Sequence, residues 1–129
     1  EGFAARLLAG RLSIAQVQTI EKAVRVEMTL TSSRKEEHFH ANRIIHRTIV
    51  EQTNNGFLVE LFDNIWNRGI SIRSFSAYRI PDPADDRGQH LELLEQLRSG
   101  NAGEAEAAMV KHIREGLANH MGWLSEQAG

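Results

Sequence analysis

Residues 39–56 read FHANRIIHRTIVEQTNNG and contain the clearest helical pattern of the chain. One face of that helix is formed by residues that recur at steps of three and four positions: Phe39, Asn42, His46, Ile49 and Thr53. Asn54, Asn55 and Gly56 follow directly, and such residues end helices. The pattern therefore predicts a helix to about Thr53 that buries an asparagine and a histidine one turn apart.

The opposite face of this helix is charged and consists of Glu36, His40, Arg43 and Arg47. Charged residues at i, i+4 spacing are typical of a solvated helix face. We therefore expect the Glu36–His40 pair to point to water and the Asn42–His46 pair to point into the protein.

The residues before this helix predict two more. Residues 1–10 look like the end of a helix that is closed by Gly10, with one face made of Phe3, Leu7 and Leu8. Ser13 and Gln16 form a capping box. It opens a helix with the apolar stripe Val17, Ile20, Val24 and Met28.

The residues after it predict three further helices. The fourth helix begins near Phe57 and is the most apolar, with Phe62 and Ile65 facing inward. It ends before the segment 80–83, because proline disfavours helix in the preceding residue. The fifth begins at an acidic cluster and ends at Gly100, and the sixth is capped by Asn101 with Glu104 and runs to about Leu124. About six helices with short loops and no strand pattern indicate an all-α fold, an antiparallel bundle.

Composition narrows the class of protein. A chain of 129 residues fits one domain, and its net charge of −2 argues against nucleic-acid binding through a basic surface. The absence of cysteine favours a reducing compartment, and we expect a cytoplasmic protein. No signal peptide and no membrane-length apolar run is present. The chain begins at Glu1, so we expect a fragment of a longer protein.

Three histidines take positions where a core leucine is expected, each on a different predicted helix: His46, His90 and His112. A lone histidine of this kind is usually a hydrogen-bonded core residue, but three of them with Asn42 beside one favour a metal site in an internal cavity. Imidazole suits zinc, nickel or manganese, and three nitrogens with one amide oxygen leave coordination positions open. His38 and His120 have no clear assignment.

The inward face of the fourth helix continues to Gly69, Arg73 and Ser76. An arginine beside the space left by a glycine could hold an organic acid, because its planar donors match a carboxylate. The alternative is that Arg73 extends to water at the end of the bundle. Arg68, at the edge of this face, is the weaker candidate.

Four segments in order resemble a known family. They are residues 42–47 with 53–58, Gln89-His90-Leu91, residues 99–105, and Met109 with His112-Ile113. Together they resemble the FadR-type C-terminal (FCD) domain of GntR-family transcription regulators, and the resemblance covers nearly the whole chain.

The resemblance implies a single ligand-binding domain over residues 1–129, of the six-helix variety, in which Asn42, His46, His90 and His112 take the metal-ligand positions. It implies a small organic acid at the open metal position, a homodimer, and operator DNA bound through an N-terminal winged helix-turn-helix. We expect that segment and the start of the first helix to lie outside this chain. Asn42 stands where many members carry aspartate, which weakens metal binding, and Ile45 replaces an aromatic residue.

The alternative function is that of an enzyme, a metal-dependent helical bundle of the DinB-like type with three histidines that activate water or a thiol. Such an enzyme needs a general base near the metal. The polar faces of the helices carry the acidic residues Glu36, Glu51 and Glu92. We therefore expect no inward carboxylate near the metal, and a sensor rather than an enzyme.

Overall fold

The computed structural model describes residues 1–31, 35–73 and 83–128, with side chains at 1–31, 36–69 and 88–117. These residues form six helices and no strand, which confirms the all-α prediction: α1 Gly2–Leu8, α2 Ile14–Met28, α3 Lys35–Glu51, α4 Gly56–Arg73, α5 Pro83–Ser99 and α6 Ala102–Ala128.

The helix starts follow the predicted capping chemistry. Ser13 Oγ accepts a hydrogen bond from the Gln16 backbone N–H at 3.2 Å, and Gln16 Oε1 accepts one from the Ser13 N–H at 2.9 Å. Asn101 Oδ1 accepts from the Glu104 N–H at 3.0 Å at the start of α6. Both caps satisfy backbone donors that have no partner inside the helix.

Two glycines bring the α1–α2 connection against the end of α5. Gly10 and Gly100 have φ angles of +69° and +94°, a region that side chains disfavour. The Gly10 N–H donates to the Leu97 carbonyl at 2.9 Å, and a Cβ on Gly10 would lie 2.6 Å from the Cα of Gly100. This contact therefore requires glycine at position 10.

The main core joins α1, α2, α3, α5 and α6. Its largest fully buried apolar side chains are Ile20, Val24, Ile45, Ile49, Leu97 and Met109. The α4 helix packs on one side through Phe62, which lies in a smaller cluster with Ala4 and Val50. The buried face of α3 agrees with the prediction, since His46 is buried and His40 is exposed.

The predicted apolar faces of α1, α2 and α4 each include a residue that is exposed. Phe3 is 54% exposed, and α1 instead buries Ala4, Ala5 and Leu8. The reason is the close approach of α1 to α6, where a Cβ on Gly2 would meet Val110 Cγ2 at 2.8 Å, so small residues form the contact.

On α4, Ile65 is 60% exposed although the sequence pattern placed it inward. Over the described residues, the main packing partner of α4 is α3, so only a narrow stripe around Phe62 is buried.

None of the helices, over the residues that the structure describes, combines the length and the apolar character needed to cross a membrane.

Candidate metal centre

Three histidines from three helices meet inside the bundle. His46 on α3 and His90 on α5 are buried, with 3% and 1% of their surface exposed, and His112 on α6 is half-buried. His46 Nε2 lies 3.1 Å from His112 Nε2 and 3.3 Å from His90 Nε2. Their potential ligand atoms all lie within 4.8 Å of one another. The structure thus brings together the three histidines that the sequence pattern selected.

The spacing of these nitrogens fits a shared cation. Two nitrogens that are each about 2.0–2.1 Å from a tetrahedral ion lie roughly 3.3–3.4 Å apart, and at an octahedral ion roughly 2.8–3.0 Å apart. The observed 3.1 Å and 3.3 Å fall within that range.

The other ring nitrogen of two of these histidines contacts a carboxylate. His46 Nδ1 lies 2.5 Å from Glu1 Oε2, and His90 Nδ1 lies 2.7 Å from Glu27 Oε2. An ionised carboxylate only accepts hydrogen bonds, so each Nδ1 donates, and a ring in its neutral form then keeps its lone pair on Nε2. The lone pairs of both rings are therefore available on the side where the three histidines meet.

The electrostatics favour a neutral His112 and an ionised Glu1. Burial lowers the pKa of His112 to about 3, and the positive charge that protonation of His46 or His90 would place beside it acts in the same direction, so its ring is neutral at neutral pH and can act as a ligand. Burial alone would raise the pKa of Glu1, but the hydrogen bond from His46 and the attraction of a protonated His46 outweigh it and leave that pKa lowered.

The fourth predicted ligand, Asn42, lies one turn before His46 on α3 and is half-buried. Across the part of the chain with described side chains, no hydrogen bond engages its amide. Its coordination of a metal stays a prediction.

The predicted carboxylate clamp is only partly described. Arg68 is exposed on α4. Arg73 is the last residue of that helix, but its side chain and the whole of Ser76 lie outside the described residues. The clamp therefore stays a prediction.

Of the remaining histidines, His38 is 6% exposed, with Nε2 3.1 Å from the Thr31 carbonyl oxygen, so it is a hydrogen-bonded buried residue. The side chain of His120 lies outside the described ones.

Sequence reasoning missed both carboxylates, and the expectation that no inward acidic residue lies near the site is wrong. Glu27 is 4% exposed, whereas Met28, which was assigned to the core stripe, is 37% exposed. The positions Ile20, Val24 and Glu27 follow a helical repeat, and that spacing was the available signal. Glu1 is the first residue of the given sequence, so no preceding residues form a helical repeat that could assign its side chain to a buried face.

The candidate site lies within the part of the chain that matches a known family. The model of the FCD domain family matches residues 1–115, a span that contains the three histidines and both carboxylates. No curated protein and no solved structure gives a significant match to the chain.

Proposed function

Because the chain belongs to the FCD family, the C-terminal effector-binding domains of GntR-family regulators, we propose that it senses a small organic acid through a divalent metal ion. One observation carries this proposal: the Nε2 atoms of three histidines meet, and the Nδ1 atoms of two of these rings contact carboxylates.

His46, His90 and His112 would hold the ion, with Asn42 as the fourth ligand. Zinc, nickel and manganese all suit imidazole nitrogen. The two carboxylates, Glu1 and Glu27, would balance the charge of a divalent ion without occupying its coordination positions. When bound, the ion would supply a Lewis-acidic position for the carboxylate of an effector, and Arg73, Arg68 and Ser76 are the candidate residues around that acid.

The position of the site suits a sensor because it touches most of the bundle. The histidines belong to α3, α5 and α6, and their carboxylate partners belong to α2 and to the residue before α1. A ligand that prefers one arrangement of these helices shifts the population toward it by its differential affinity. In a cytoplasmic homodimer, this free energy would pass to an N-terminal domain that binds operator DNA.

A catalytic role for the same site has less support. Glu1 and Glu27 contact the Nδ1 edges of their rings, which face away from the point where the Nε2 atoms meet. They are therefore poorly placed to take a proton from a water held at that point. We therefore favour a regulatory domain over a metal-dependent enzyme.

A thermal-shift screen of small carboxylic acids tests the proposal. We expect at least one acid to raise the Tm of the metal-loaded protein and to lose that effect with a chelator. An acid present at 100 times its Kd stabilises the protein by about 2.7 kcal/mol. The shift should disappear in His46→Ala and persist in His40→Ala, whose side chain is exposed on the same helix.

Two results would contradict the proposal. One is a screen in which no acid stabilises the metal-loaded protein. The other is an acid whose effect survives both the chelator and His46→Ala, because its site would then be elsewhere.

A further inference from the structure

Glu27 is an exception on the buried side of α2. Its neighbours along that face, Ile20 and Val24, are fully buried apolar residues, and its own surface is 4% exposed. Burial of an ionised carboxylate is unfavourable unless hydrogen bonds replace the lost water. A residue of this kind on an otherwise apolar face therefore has a partner that requires it.

That partner is His90. Glu27 Oε2 lies 2.7 Å from His90 Nδ1, and the His90 side chain is fully buried, with an exposed fraction of 0%. The two residues are 63 positions apart in the sequence and join α2 to α5. The contact is therefore a tertiary one that neither helix needs for its own formation.

The chemistry of the contact sets which nitrogen of His90 carries the proton. The carboxylate can only accept, so a neutral His90 ring has its hydrogen on Nδ1 and its lone pair on Nε2. His90 Nε2 is the atom that lies 3.3 Å from His46 Nε2. A change of tautomer would place a hydrogen at that point and remove one of the three donor atoms.

We propose that Glu27 is a positioning residue of the metal site, whose carboxylate holds the ring of His90 and keeps the His90 Nε2 lone pair directed at the other two histidines. The pair Glu1–His46 has the same arrangement, with Nδ1 and Oε2 at 2.5 Å. Carboxylates behind metal-binding histidines fix ring orientation and raise ligand basicity, and their loss typically weakens metal binding 10–100-fold. The inference rests on the proposed metal site.

Two variants of Glu27 separate positioning from packing. Glu27→Leu fills the space with an apolar side chain and removes the acceptor, whereas Glu27→Gln keeps an acceptor oxygen without the charge. Glu60→Leu is the matched control, because it changes net charge equally at an exposed position of α4.

The first measurement uses the metal-free protein labelled with ¹⁵N at histidine. Long-range ¹H–¹⁵N spectra of this protein distinguish the two tautomers of His90. We expect His90 to carry its proton on Nδ1 in the unmodified protein and in Glu60→Leu. Glu27→Gln should largely keep that tautomer, and Glu27→Leu should lose the preference. A protein that merely needs a side chain of this volume at position 27 would show the same tautomer in all variants.

The second measurement is zinc affinity by competition with a chromophoric chelator. We expect a 10–100-fold loss for Glu27→Leu, a smaller loss for Glu27→Gln, and no change for Glu60→Leu. Zinc binding by Glu27→Leu within threefold of the unmodified protein would overturn the role of Glu27 alone. An unmodified protein that does not bind zinc, nickel or manganese would overturn the proposed function itself.

Discussion

Two polar clusters include adjacent residues of α3, His46 and Arg47. Arg47 faces solvent, where its Nε and Nη2 donate to the two carboxylate oxygens of Asp63 at 2.9 and 3.0 Å, and it also contacts Glu51. His46 faces the core, between Glu1 and the other two histidines. One helix thus has a hydrogen-bonded polar cluster on each side.

The difference between the clusters is the access of water. The Arg47 and Asp63 side chains are 37% and 29% exposed, and ion pairs of this kind contribute at most about 1 kcal/mol because water solvates each partner almost as well. Water cannot replace a lost partner in the buried cluster, so removal of one side chain leaves another without a hydrogen bond. The buried cluster is therefore more sensitive to the loss of one member, whereas the surface cluster adds little to the contact between α3 and α4.

The largest effect is expected from removal of a histidine that faces the core. His46→Ala should lower metal affinity by more than about 100-fold, because even the loss of an outer carboxylate causes 10–100-fold. Metal analysis of the purified protein measures this as a fall from one ion per chain to a trace. His40→Ala should keep full occupancy, and equal losses in both variants would show that the wrong face of α3 has been assigned.

A second comparison sets Glu27 against Glu51. Glu27→Ala should lower the free energy of unfolding of the metal-free protein by about 2 kcal/mol, because the buried Nδ1–H of His90 loses its acceptor. Glu51→Ala should lower it by less than about 1 kcal/mol, since Glu51 is exposed. Urea denaturation measures both, and a larger loss for Glu51 would reverse the comparison.

A smaller change should follow from a new charge beside the site. Asn42→Asp should raise metal affinity by about tenfold, or about 1.4 kcal/mol, because a carboxylate attracts a divalent ion more strongly than an amide does. Chelator competition measures it, with Asn64→Asp at an exposed position as the control. Equal affinities for Asn42→Asp and the unmodified protein would place Asn42 outside the coordination sphere.

The smallest effect belongs to the surface cluster. The hydrogen bond from Arg47 outweighs partial burial and lowers the pKa of Asp63, so its stabilising contribution is present above about pH 4 and is lost as the pH falls through the lowered pKa. Asp63→Asn should therefore lower stability by less than about 1 kcal/mol at pH 7 and by progressively less as the pH falls through the lowered pKa. High salt should reduce the difference at pH 7, and a salt-independent loss would indicate a packing effect instead.

The helices and the histidine faces could be predicted because they depend on local periodicity. Ser13 and Asn101 mark their helix starts through contacts three residues away, and the repeat around His46 identifies the buried side of α3. The FCD resemblance is confirmed by the family match over residues 1–115.

The exposed and buried sides of α1, α2 and α4 were harder to predict, because they depend on partners distant in sequence. Phe3 is exposed because α6 approaches α1 closely, and Glu27 is buried because His90 meets it from 63 residues away. Hydrophobic periodicity assigns a glutamate to the surface, so it chose Met28 instead. The helical spacing of Ile20, Val24 and Glu27 points to the buried position of Glu27, but the histidine on another helix that requires a carboxylate there cannot be read from local sequence.

The most direct test of the central claim is X-ray absorption of the protein loaded with one equivalent of zinc or nickel. The account predicts three imidazole ligands, with nitrogen for zinc at about 2.0–2.1 Å, and the remaining positions filled by oxygen. His112→Ala should reduce the imidazole count to two. A coordination shell made of oxygen alone, or one unchanged by His112→Ala, would contradict the claim that these three histidines hold the metal.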